Sequence, residues 1–147
     1  MTQNEKDLLL QDLCARLPYG IKFPITVKNP ITSEPIETTG TISDINRYGI
    51  VSFVWDYEGQ EILVKNSLHI KDVKPYLFPL SSMTERQCYK LSSIRSSFQD
   101  CWKYIKTPIP LSICNFEQIE WFHKNHLDYR GIIPMGLAND ATGLNIY

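Results

Sequence analysis

The sequence predicts an α+β protein: an N-terminal helix, a strongly curved five-stranded antiparallel sheet or small SH3/OB-like barrel, two C-terminal helices and a terminal segment that packs back. Three observations predict it. The apolar period is helical before Pro18, changes to two between Ile21 and about Leu77, and returns to helical spacing after Pro79. Turn signals at Asn46-Arg47-Tyr48-Gly49, Glu58-Gly59 and Lys65-Asn66 divide the middle stretch into short runs. The 147 residues, 43% hydrophobic and 21% charged, have the size and composition of one globular domain covering 1–147.

The first helix is expected over residues 3–16. Thr2 and Glu5 have capping-box spacing, Leu10, Leu13, Cys14 and Leu17 follow at i, i+3, i+4, i+7, and Pro18 with Gly20 ends the run. In the β region, 21–77, Ile21, Phe23, Ile25 and Val27 alternate with Lys22, Pro24, Thr26 and Lys28, and Pro24 assigns this strand to an edge. Further strands are expected at Glu37 to Asn46, Gly49 to Tyr57, Gln60 to Lys65 and Leu68 to Tyr76. Short strands joined by tight turns leave two edges to hide, and curling into a small barrel hides them.

Pro75 and Pro79 bracket an extended exit from the sheet. Residues 82–126 then read as two helices. The first is capped by Ser82 with Glu85 or by Thr84 with Gln87. It carries Leu91, Ile94, Phe98, Cys101 and Ile105 at helical spacing, and Pro108 stops it before Pro110. The second, about 116–126, is introduced by Asn115 and Gln118, and residues 127–147 form the terminal segment.

Fifteen basic against sixteen acidic side chains, a net charge of -1, provide no field that would concentrate polyanions or hold a membrane surface. Four isolated cysteines, Cys14, Cys88, Cys101 and Cys114, form no Cys-x-x-Cys pair and read as reduced, buried thiols. The polar start and the absence of any run near ~18 apolar residues fit a cytoplasmic protein with no membrane partner.

Functional residues crowd into Trp121 to Ala138. On a helical wheel Phe116, Ile119, Phe122, His123 and His126 share one face, which leaves Trp121 off the stripe: exposed on an isolated helix, and either covered by the tail after Gly131 folding back or presented to a partner. An off-face tryptophan beside Tyr129 and Arg130 is the candidate partner-binding surface, because a rigid aromatic and a planar cation are favoured at binding hot spots. His123, His126 and Asp128 have the donor types for a metal site, but no His-Glu-x-x-His motif or second Glu-x-x-His pair completes it; core or helix-end histidines are the preferred reading. Asp128 to Gly131 reads as an internal ion pair around Tyr129, and Gly131 and Gly136 as backbone devices. In the β region Arg47, Tyr48, Trp55 and Lys65 resemble the basic and aromatic mixture that stacks single-stranded bases. Parity makes Phe53, Trp55 and Tyr57 a core face instead. Nucleophile elbows, phosphate-binding glycine loops and dinucleotide fingerprints do not occur in the sequence, so no catalytic residue and no cofactor are assigned.

Val73 to Glu85, the closing run from Trp121 to Ala138 and Cys14-Ala15-Arg16-Leu17-Pro18-Tyr19-Gly20 together resemble a small uncharacterised protein family of phages and prophages of gut Bacteroidetes. The chain departs from it at Phe78, where a basic residue is common, and in the tail from Asn139 to Tyr147, where a proline is common. The resemblance implies a phage or prophage accessory protein in a bacterial host cell and brings no catalytic residue. The expected function is therefore a non-enzymatic binding module for a host or phage macromolecule. Nucleic-acid binding across the barrel is the alternative, and metal-dependent hydrolysis a third reading.

Overall fold

The computed structural model describes residues 1–94 and 114–147, which fall into two compact units, Met1–Tyr76 and Leu77–Tyr147. The expected helical positions Phe98, Cys101 and Ile105, with the stop at Pro108 and Pro110, lie outside the described residues.

The first unit opens with α1 (Gln3–Arg16). Its capping box is closed at both ends: the Thr2 N–H donates to Glu5 Oε2 at 2.6 Å and the Glu5 N–H to Thr2 Oγ1 at 3.3 Å. The buried row is Leu9, Asp12, Leu13 and Arg16, one residue back from the expected Leu10, Leu13, Cys14 and Leu17. Leu8-Leu9-Leu10 lets a helical stripe start at either of two positions. The one used buries two charges, and it is tolerated because Arg16 and Asp12 neutralise each other at i, i+4. Cys14 is thereby exposed, Cys88 and Cys114 are half-buried, and all three are free thiols, which corrects the expectation of buried ones. Partial burial and then the Asp44 carboxylate push the Cys14 thiol above its ordinary pKa.

After a 3-10 turn at Leu17–Tyr19 come β1 (Lys22–Lys28), β2 (Pro35–Ile45), β3 (Ile50–Tyr57) and β4 (Gln60–His69), paired antiparallel in the order β1-β2-β3-β4. The expected five-stranded sheet or closed barrel is therefore corrected to an open four-stranded sheet. Asn66 is the cause. It was expected to turn the chain between two strands, but at φ 47° it sits within β4 and donates its N–H to Ser52 Oγ at 3.0 Å. The register passes from Val51↔Leu68 to Phe53↔Val64, so residues 65–67 oppose Ser52 in a bulge and the strand continues. A one-residue bulge at Ser43 shifts β2 in the same way.

Hairpin geometry is set locally. Glu58 and Gly59 both have positive φ, 52° and 82°, as the two-residue turn of a right-twisted hairpin requires. Gly40 on β2 lies under the rings of Phe23 and Phe53, which meet edge to face at 5.5 Å between centroids; a Cβ at Gly40 would stand 3.1 Å from one and 3.2 Å from the other. Phe23, Ile42, Val51 and Phe53 on this inner face are almost fully buried. β4 leads into a 3-10 turn, Ile70–Asp72, whose Ile70 N–H donates to the Gly49 carbonyl at 2.8 Å, and α1 lies against both 3-10 turns.

The second unit is built on a small sheet of order β6-β5-β7, from β5 (Tyr76–Pro79), β6 (Leu127–Asp128) and β7 (Asn139–Asp140). Among the described residues its helices are α2 (Glu85–Ile94), started by the Thr84 and Gln87 pair, and α3 (Phe116–Lys124), with a complete Asn115 and Gln118 capping box. Leu80, Leu91, Trp121, Phe122, Leu127 and Tyr129 form one buried cluster between them. Among the described residues no helix is long and apolar enough to cross a membrane.

Candidate functional site

The run from Trp121 to Ala138 is a folded clasp. α3 delivers Trp121, Phe122 and His123 to the interior, and β6, parallel to β5 with Phe78↔Leu127 and Pro79↔Asp128, carries the chain on to Tyr129. The Tyr129 ring stacks on Phe122 at 5.2 Å, and its hydroxyl lies 2.8 Å from His123 Nε2. Arg130 Nε donates to the same hydroxyl at 3.0 Å, and its guanidinium lies 5.3 Å from the ring centroid. A hydroxyl that accepts from Arg130 still has its own proton to give, and a neutral His123 can accept it. Asp128 receives the Ile132 N–H on Oδ1 and the Ile133 N–H on Oδ2, both at 2.8 Å, which fixes the turn where Gly131 has φ 74°. His126, itself at φ 53°, stacks on Tyr147 at 3.7 Å.

These contacts reassign the sequence candidates. Trp121 is 9% exposed and packs edge to face on Phe122, so of the two readings it is the covered one that the structure places. The helical wheel misplaced it because α3 is covered on more than one side, whereas Phe116, expected on the apolar face, is exposed. Tyr129 is fully buried, and Arg130 is the half-exposed member of the expected surface. His123 and His126 turn to different tyrosines, and among the described residues no three His, Cys, Asp or Glu side chains assemble as a ligand group.

The nucleic-acid candidates are also separated. Arg47 and Tyr48 stand exposed at the β2–β3 turn, the guanidinium over the ring at 4.7 Å and bonded to its hydroxyl. Lys65 is exposed on β4, near that turn, since Asn46 and Asn66 approach to 3.5 Å. Trp55, 5% exposed, is on the inner face against Tyr57, so the expected base-stacking platform does not form.

An open trough of about 440 Å³ on the inner face of the four-stranded sheet was not anticipated. Ile25 and Val27 of β1 form one wall, Ile62, Val64 and Leu68 of β4 the other, and Phe53 with Trp55 the floor; Lys28 and Ser67 lie at its margin. Register explains the convergence, because Phe53↔Val64 and Trp55↔Ile62 pair directly and Ile25 shares their parity across β2. Ile25, Val27, Ile62 and Val64 are only half-buried. The alternation was legible in the sequence, but a closed barrel would have covered these side chains. A second hollow, of about 330 Å³, adjoins the start of α1 with Lys6, His69 and Lys71, where the Thr2 and Glu5 capping box already occupies the first turn.

No protein-family model, curated protein or solved structure matches the chain.

Proposed function

We propose that the protein is a non-enzymatic binding module whose ligand surface is the trough of the four-stranded sheet, and that its ligand is an extended apolar peptide segment of a host or phage protein in the bacterial cytoplasm. The observation that carries this reading is the pair of half-buried aliphatic walls, Ile25 with Val27 and Ile62 with Val64, over an aromatic floor. An open apolar trough of about 440 Å³ falls within the range of ligand-binding cavities. Its walls are spaced along strands, so alternate side chains of an extended peptide match them, and Lys28 at the margin favours a carboxylate at one end of that peptide. The free thiols at Cys14, Cys88 and Cys114 suit a reducing compartment, and the resemblance to small phage and prophage proteins supplies the setting.

The test is an array of extended synthetic peptides with alternating apolar residues and one terminal acidic residue, read against the protein and its Val27→Glu and Ile62→Glu variants. Binding that shifts the methyl resonances of Ile25, Val27, Ile62 and Val64, and that falls at least about tenfold in either variant while the fold persists, supports the reading. Peptides that bind both variants as well as the parent protein, or that do not bind at all, overturn it. Uptake of small apolar molecules without any peptide would assign the trough to a different ligand class.

A further inference from the structure

Among the described residues nothing pairs with either edge of the four-stranded sheet, and the two edges are not equivalent. On β1 the Ile42 N–H donates to the Ile21 carbonyl at 2.9 Å, so the odd residues Ile21, Phe23, Ile25 and Val27 direct their peptide groups to β2. The even residues face outward, and Pro24 among them has no N–H to offer. That edge is blunted. On β4 the pair Tyr57↔Gln60 flanks the two-residue turn and is a hydrogen-bonded pair, so Gln60, Ile62 and Val64 bond to β3. Glu61, Leu63 and Lys65 then aim their N–H and C=O groups at the open edge, with no proline to interrupt them. All three side chains are exposed, and Leu63 is 51% exposed, an apolar residue at the centre of an unpaired edge.

Opposite charges flank Leu63 at equal spacing on this edge. We propose that the β4 edge is a self-association surface, on which a second copy of the chain pairs antiparallel about a two-fold axis through Leu63 and joins the two sheets into one. In that register Glu61 stands opposite the partner's Lys65, Lys65 opposite the partner's Glu61, and Leu63 opposite its own counterpart. The outward-facing residues of each copy meet one another, so both members of every such pair have peptide groups directed at the partner, and about six backbone hydrogen bonds form. Glu61, Leu63 and Lys65 share the outer face, where the two opposite-charge pairs flank an apolar contact; Ile62 and the partner's Val64 become neighbours on the inner face. A shift of register by two residues places a charge against leucine and a shift by four places like charges in opposition, so the edge selects its own alignment as an isologous contact requires. The inference is independent of what fills the trough, because the edge groups lie in the plane of the sheet and the trough on its face.

Sedimentation equilibrium on the full chain, from low micromolar to near-millimolar concentration, tests it. A reversible monomer–dimer equilibrium is expected. Glu61→Lys should weaken association about tenfold or more by facing lysine with lysine, and the double variant Glu61→Lys with Lys65→Glu should restore it, since each opposite-charge pair is re-formed in reverse. Leu63→Pro removes one outward N–H, outside the β3–β4 ladder, and should abolish the dimer with the circular dichroism spectrum unchanged; where that variant does not fold, the charge pair still decides. A chain that is monomeric at every concentration, a dimer indifferent to Glu61→Lys, or a double variant that does not recover overturns the proposal.

Discussion

Asp12 and Arg16 meet inside the first unit as a two-point pair, Nε to Oδ2 at 2.7 Å and Nη2 to Oδ1 at 3.2 Å, with both side chains fully buried. A buried pair contributes little relative to apolar residues of the same volume, but half of one is costly. Asp12→Ala or Arg16→Ala should each lower unfolding stability by about 3–5 kcal/mol in urea titrations, and Asp12→Leu combined with Arg16→Met should regain most of it. Single variants that cost under about 1 kcal/mol would show that the pair's surroundings, and not the pair, hold these groups.

Gly40 is a steric requirement and not a turn device. Its missing side chain is where the Phe23 and Phe53 rings lie, and both belong to strands that flank β2. Gly40→Ala should cost about 1–3 kcal/mol by forcing the rings apart, and adding Phe53→Leu should cost less on the Ala background than on the parent. Additive losses in that cycle would contradict the ring contact as the cause.

Tyr129 holds the clasp by its hydroxyl. Tyr129→Phe keeps the stacking on Phe122 but leaves His123 and Arg130 without that oxygen, so a loss of about 1–3 kcal/mol is expected. Hydrogen exchange should quicken at Ile132 and Ile133 only in Asp128→Ala, which removes their acceptors. Equal protection in the two variants would mean that turn and hydroxyl are one cooperative unit.

The pH dependence of α1 has a definite sign. The Thr2 backbone N–H, first among its influences, holds the Glu5 carboxyl below the ordinary carboxylate range. A carboxyl with a depressed folded-state pKa stabilises above its unfolded value and loses that stabilisation as pH falls through the folded one. Amide exchange in the first turn, corrected for intrinsic rates, should therefore be flat from about pH 5 to 8 and lose protection below about pH 4. Glu5→Gln should remove that acid step; an unchanged step would assign it to another carboxylate.

The sequence was most informative where a local rule decides. Thr2 with Glu5, Asn115 with Gln118, and Glu58-Gly59 all have backbone roles that depend on near neighbours alone, and each occurs as read. Reading weakened where the outcome depends on what lies opposite. Lys65-Asn66 has turn chemistry, but Ser52 across the ladder accepts the Asn66 N–H and keeps the strand together. Trp121 falls off the apolar stripe because a wheel holds only one helix, and it is buried in a cluster with Leu80 and Leu91, distant in sequence, as well as the nearby Leu127. The candidate site was the least legible part. Ile25 and Val27 read as one side of an alternating strand and Ile62 and Val64 fall in another expected strand, but only the open strand order leaves all four facing a trough.

The bulge at residues 65–67 inserts two extra residues opposite Ser52, while the one at Ser43 inserts a single residue. These have opposite effects on which way the following side chains point. An even insertion leaves Ile62, Val64 and Leu68 on one face, so β4 can lose or gain residues there in pairs without inverting its pattern. The odd insertion in β2 puts Ile42 and Ile45, three positions apart, on the same side. Length variation in this sheet is thus confined to the bulges: β4 admits steps of two, and removing Ser43 would erase the β2 bulge while leaving Ile42 and Ile45 on one side as a regular i, i+2 pair.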